Sequence, residues 1–209
     1  MVKEAGLFYR AIKRIVDFCL AFVGLLFAWP VIVVIAVIIR VSSKGPAFFA
    51  QQRAGRNATP FTMYKFRTMR TDADPFGASP KSGADPRITP IGRFLREYSL
   101  DELPQLLNML KGDMAFIGPR PLYMSQATEW NERQRRRLEV KPGLTGLAQV
   151  SGRAQLTIEE KLEIDVRYVE TESFITDIKI VAATFGAIVG KKDIYEKRYS
   201  KKEETRGEG

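Results

Sequence analysis

The apolar run from Ile15 to Ile39, interrupted near its middle by Trp29-Pro30 and flanked by positive charge, constrains this chain more than any other segment. As one helix its 25 residues extend about 37 Å, enough to cross a hydrocarbon core of about 30 Å. Length permits a span, but charge argues otherwise. Lys3, Arg10, Lys13 and Arg14 precede the run and Arg40 and Lys44 follow it, so the basic bias that marks a cytoplasmic end marks both. Pro30 has no N–H, and its ring opposes the carbonyl four residues back, which favours a kink. The halves, about 13 to 15 residues each, suit a re-entrant hairpin that enters and leaves one leaflet. A tilted spanning helix with a tolerated proline is the alternative. A cleaved signal peptide is disfavoured, because no small-residue cleavage site follows.

About 170 residues follow the run, enough for one domain. The net charge of +9 suits nucleic acid, an anionic leaflet or a phosphorylated substrate. The membrane segment, with no zinc-finger or RNP signature, argues against nucleic acid. The run Arg133 to Arg137 falls on an expected helix and suits lipid, protein or solvent. Cys19, the single cysteine, precludes an intrachain disulfide and a cysteine metal cluster. Histidine is absent, which excludes Ser-His-Asp and Cys-His mechanisms and histidine-ligated zinc within the chain.

Residues 47–52 and 61–66 read as strands around a Gly55-Arg56-Asn57 turn, a small β-hairpin. Residues 71–90, rich in Pro, Gly, Asp and Ser, read as a long functional loop. Helices are expected over 90–97, 103–111, 123–139, 158–170 and 174–189, with Thr157 and Glu160 at capping-box spacing. The expected organisation is α+β, mostly helical. A re-entrant membrane helix hairpin (1–44) precedes one compact cytoplasmic catalytic domain (45–190) and a charged, disordered tail (191–209).

Chemistry concentrates at Ser99-Leu100-Asp101-Glu102-Leu103-Pro104, where two carboxylates precede an apolar helix. Ser99 and Glu102 have capping-box spacing, so a purely structural role is open. The same helix start favours an ionised carboxylate and offers a landing place for phosphate. A carboxylate attacking phosphate needs cations, since two unit charges about 4 Å apart repel by roughly 4 kcal/mol at an effective dielectric near 20. Lys65, Arg67, Arg96 and Arg120 are the candidates. Pro119 and Pro121 restrict the backbone around Arg120 and suit a fixed guanidinium. The segment Pro142 to Arg153 offers glycines and donors, including Gln149 and Arg153. It matches neither the dinucleotide fingerprint nor the P-loop, so the pattern alone favours a turn-rich connection.

Taken together, these blocks resemble the bacterial sugar transferase family, specifically its small monotopic phosphoglycosyl transferases. The resemblance runs through Lys13-Arg14-Ile15-Val16-Asp17, Tyr64 to Met69, Asp85 to Thr89, Ser99 to Gln105, Gly112 to Leu122 and Pro142 to Arg153. It implies transfer of a phosphosugar from a UDP-sugar to a polyprenyl phosphate such as undecaprenyl phosphate, with UMP released, as the first step of a bacterial glycan pathway. It implies Asp101 as the nucleophile forming a covalent phosphosugar enzyme, with Glu102 assisting. It implies magnesium (Mg2+) touching Asp101 at the diphosphate. Lys65, Arg67, Arg96, Pro119, Arg120, Pro121, Gln149 and Arg153 match its substrate-binding positions. Asp17 matches an acidic position without a catalytic role. The implied location is the bacterial inner membrane, on the cytoplasmic leaflet. Where family members often have Ser-Pro at the kink, this chain has Trp29-Pro30. The sugar, the pathway and the oligomeric state stay open. The competing functions are a membrane-linked aspartyl-phosphate phosphatase and a non-catalytic basic membrane scaffold.

Overall fold

The computed structural model describes residues 6–75, 77, 80, 82–152 and 155–189. The apolar segment forms one helix, α1 (Leu7–Ser42), continuous through Trp29-Pro30. The two halves expected from the sequence are a single element. Pro30 removes one rung of the ladder, and apolar surroundings favour keeping every other backbone group bonded within the helix.

After α1 the order is β1 (Phe48–Ala54), β2 (Pro60–Phe66), α2 (Pro90–Glu97), α3 (Gln105–Lys111) and β3 (Ala115–Ile117). It continues with α4 (Met124–Ala127), α5 (Glu132–Arg135), β4 (Gly143–Thr145), α6 (Leu147–Ser151), α7 (Ile158–Thr171) and α8 (Phe174–Val189). The fold is mostly helical α+β. The hairpin expected from the sequence is β1 against β2, antiparallel, with Phe48 opposite Phe66 and Ala54 opposite Pro60.

Local chemistry explains most boundaries. Thr89 caps α2 by accepting from the Gly92 N–H, and Pro90 opens that helix with its fixed φ. The Thr157–Glu160 capping box forms at the start of α7. The helix expected over 123–139 is instead α4, α5 and a 3-10 turn at Arg136–Glu139. The Asn131 side chain accepts from the Gln134 N–H and starts a new helix there.

One stripe of α1 packs on the rest of the chain along its whole length. Ala21 joins Phe61, Met63, Leu106 and Met109 in one core, while Ile35 and Ile39 join Ala47, Phe66 and Leu95 in another. Leu25, Ala28, Ile32 and Ala36 fill the same stripe in steps of three and four residues. At the N-terminal end Tyr9 Oη and Lys13 Nζ donate to Asp177 Oδ2 at 2.8 and 2.6 Å, and Arg10 pairs with Glu172. The opposite face, with Phe22, Phe27, Trp29, Val33 and Val37, is apolar and exposed. By length and composition α1 can cross a membrane.

Two contacts position the site. Asn108, fully buried on α3, accepts from the Tyr64 N–H at 3.1 Å and donates to the Thr62 carbonyl at 2.7 Å, fixing α3 against β2. The glycine-rich segment supplies β4, which runs parallel to β3 with Ala115 opposite Gly143. A Cβ on Gly143 would lie 2.1 Å from the Gly118 nitrogen, and one on Gly146 would lie 2.1 Å from the Gly118 oxygen. These glycines serve close backbone approach.

Candidate active site

Ser99 adopts a left-handed conformation, φ 56°, and leads into a 3-10 turn at Leu100–Glu102 just before α3. For a non-glycine residue this conformation costs about 1–3 kcal/mol and is typical of functional segments. The expected Ser99–Glu102 capping box does not form, and the Ser99 side chain makes no cap bond. Glu102 is engaged elsewhere, because charge-assisted bonds to cations outcompete a backbone N–H. Its Oε1 accepts from Lys65 Nζ at 2.7 Å and from Arg120 Nη2 at 2.9 Å. Burial alone would push the Glu102 carboxyl up, yet Lys65 and Arg120 outweigh it and hold the group well below the usual carboxylate range.

Asp101 is differently placed. Among the described residues its carboxylate has no hydrogen-bond or ion-pair partner. Burial pushes it above the ordinary carboxylate range and the Glu102 charge adds to this, while Lys65, Arg96 and Arg120 act against it. The two neighbouring acids therefore divide: one is tied to two cations, the other is left available. Arg96, on α2, donates from Nε to Thr68 Oγ1 at 2.8 Å and contributes its charge to Asp101.

Lys65, Arg96 and Arg120 thus come together around the acidic pair, with Pro119 and Pro121 bracketing Arg120. Arg67 does not join them. It is buried and donates to the Ser43 carbonyl at 3.0 Å, Ser43 Oγ at 2.8 Å and the Lys44 carbonyl, closing the C-terminal end of α1. Gly45 beside it has φ 112°, and a Cβ there would collide with the Arg67 guanidinium. Gln149 sits in α6 with both amide atoms buried and, among the described residues, without a hydrogen-bond partner. Arg153 lies outside the described residues.

One cation was not foreseen. Arg53, at the end of β1, stacks its guanidinium 3.7 Å from the centroid of the Tyr123 ring and lies in the field of Arg120 and Glu102. The expected strand stopped at residue 52, so Arg53 fell in the turn. Tyr123 Oη and Gln51 Nε2 both donate to the Pro75 carbonyl, at 3.2 and 3.0 Å, pinning the start of the long loop nearby.

The family model described as bacterial sugar transferase matches residues 8–191. The chain belongs to this family. It is 40% identical over 198 residues to the uncharacterized sugar transferase EpsL of Bacillus subtilis (strain 168), covering 95% of this chain and 97% of that one. It is 42% identical over 189 residues to the galactosyl transferase CpsE of Streptococcus agalactiae serotype III (strain NEM316), covering 85% of this chain and 42% of the relative. It is also 40% identical over 195 residues to the UDP-glucose:undecaprenyl-phosphate glucose-1-phosphate transferase of Escherichia coli (strain K12), covering 87% and 41%. The chain therefore spans nearly all of the first relative and about two fifths of the other two.

Proposed function

We propose that this bacterial sugar transferase moves a sugar phosphate from a UDP-sugar to polyprenyl phosphate through a covalent aspartyl intermediate, beginning assembly of a membrane-linked glycan. The unequal engagement of Asp101 and Glu102 carries the reading. An Asp101 carboxylate oxygen forms a bond to the sugar-bearing phosphorus, the phosphoanhydride bond breaks, and UMP leaves with the electron pair. A polyprenyl phosphate oxygen then attacks the same phosphorus, and the Asp101 carboxylate departs. Glu102 holds Lys65 and Arg120 where the negative charge of the diphosphate accumulates, and Arg96 adds a third cation. Splitting the transfer into two displacements predicts ping-pong kinetics.

The donor set suits magnesium. Mg2+ is commonly held by one or two carboxylates plus substrate phosphates, and a carboxylate beside the donor's diphosphate would offer that set. Asp101 is the residue that would hold it, and the ion would supply charge neutralisation at the diphosphate.

We further propose that α1 keeps both ends on one side of the membrane and sits in the cytoplasmic leaflet of the inner membrane by its free apolar face. Both ends of α1 are bonded to the same domain: Tyr9, Arg10 and Lys13 to Glu172 and Asp177, and the Ser43 and Lys44 carbonyls to Arg67. A helix held at both ends by one body, with its free face apolar, is suited to lying against lipid on that body's side. Cysteines introduced near positions 5 and 205 are expected to be shielded together from a periplasmic reagent in intact cells. Labelling at position 5 alone would establish a spanning helix.

The activity is tested by product analysis with a panel of UDP-sugars, magnesium and undecaprenyl phosphate. UMP and a lipid diphosphate sugar, both dependent on the lipid for continued turnover, are expected. Sugar phosphate or inorganic phosphate released to water without lipid would favour a phosphatase. Lipid binding without UMP would favour a scaffold.

A further inference from the structure

The basic run Arg133–Arg137 has no place in the reaction above, and the structure disposes of its members separately. Arg133 pairs with Glu163 and Glu170, Arg136 pairs with Glu139 and Glu170, and Arg135 Nε donates to the Trp130 carbonyl. Arg137 turns inward. Its side chain is 1% exposed, and that of its partner Asp165, on α7, is 3% exposed. Nε and Nη2 donate to Asp165 Oδ2 at 3.1 and 2.7 Å, and Nη2 also donates to the Arg120 carbonyl at 2.6 Å. The guanidinium lies 4.9 Å from the centroid of the buried Trp130 ring.

Desolvating such a pair is expensive, and apolar residues of similar volume often serve a fold as well or better. Stability alone does not account for it. The contact with Arg120 does. Pro119 and Pro121 have no N–H, so this strap is anchored largely through its carbonyls. Pro119 O accepts from the Gly143 N–H at 2.9 Å, Arg120 O from Arg137 at 2.6 Å, and Pro121 O from Arg53 Nη1 at 3.5 Å. The Arg120 side chain is 49% exposed, so its direction rests on its bond to Glu102 and on the backbone that carries it more than on packing around it.

We infer that Arg137, braced by Asp165 and Trp130, is a positioning residue for Arg120. It fixes the peptide from which the Arg120 guanidinium reaches Glu102 and the donor's diphosphate, an inference that rests on the activity proposed for the site. Lysine cannot replace it, because one nitrogen cannot keep the separate Nε and Nη2 bonds.

The test uses Arg137→Met/Asp165→Leu, which removes both buried charges together and leaves neither orphaned. Arg137→Lys carries the same comparisons should the double variant not fold. Hydrogen exchange across residues 118–123 needs no substrate. Faster exchange there, with α7 still protected, is the expected result. UMP release from UDP-glucose with magnesium and undecaprenyl phosphate is then measured with and without Arg120→Ala. The Arg137 change is expected to lower kcat/KM about tenfold or more when Arg120 is present and less than about twofold when it is absent. Unchanged exchange in a folded variant would overturn the inference, as would an equal loss in both backgrounds. If the wild-type chain releases no UMP from UDP-glucose, that donor or the proposed activity fails. The exchange comparison then decides alone whether Arg137 fixes the strap.

Discussion

Asp101→Asn is expected to abolish turnover, with kcat reduced about a thousandfold or more, as for removal of other covalent nucleophiles. The change is nearly isosteric and leaves Glu102 bonded to Lys65 and Arg120, so the cationic surroundings persist. On incubation with magnesium and a matching UDP-sugar, before lipid is added, the wild-type chain should gain the mass of one phosphosugar in intact mass spectrometry. The variant should gain none, and a gain in the variant would sink the mechanism. Stability should move in the opposite direction to activity. Burial raises the Asp101 carboxyl above its unfolded value, so its charged form is disfavoured in the folded chain at neutral pH. Asparagine removes that cost, and the melting temperature should stay level or rise. The difference should close as pH falls through the carboxylate range, where Asp101 is protonated in both states.

Arg67→Met should behave in the reverse way. The guanidinium donates to the Ser43 carbonyl, Ser43 Oγ and the Lys44 carbonyl, where α1 ends. Hydrogen bonds from a charged donor contribute about 1.5–3 kcal/mol each and are not additive, so a loss of about 3–5 kcal/mol is expected. For a chain of this size that corresponds to a fall of about 10 °C in Tm. Activity per folded molecule should stay within about threefold. A variant that melts normally but loses kcat/KM for the UDP-sugar would instead make Arg67 a phosphate contact, as its place in the Tyr64–Met69 block suggested.

That contrast shows what was legible in the sequence. Signals confined to a few neighbouring residues came through at Thr157 capping α7 and at the hairpin around Gly55, though not at Ser99, where the capping-box spacing is not used. Periodicity placed α2, α7 and α8 close to their observed bounds. Partners distant in sequence did not come through. Lys65 and Arg67 are two residues apart and look alike in sequence. Yet Lys65 meets Glu102 across 37 positions, while Arg67 meets the end of α1. The parallel pairing of β3 with β4 was hidden because each strand is three residues long and glycine occupies the contact. Arg137 was read with its neighbours as one basic run, since charge patterning carries no sign of which member turns inward.

The bonds between the first turns of α1 and the start of α8 also impose an order on biosynthesis. About 135 residues separate Ser42 from Asp177, and at about 5–20 residues per second a ribosome needs roughly 7–27 s to supply them. Throughout that interval Tyr9 and Lys13 have no Asp177 to meet, while the apolar surface of α1 has already emerged and needs cover. Lipid can provide that cover at once; the protein's own closing contact arrives late. With the membrane placement proposed above, anchoring thus comes before completion of the domain, and α8 fastens a catalytic body onto a helix already lodged in its bilayer.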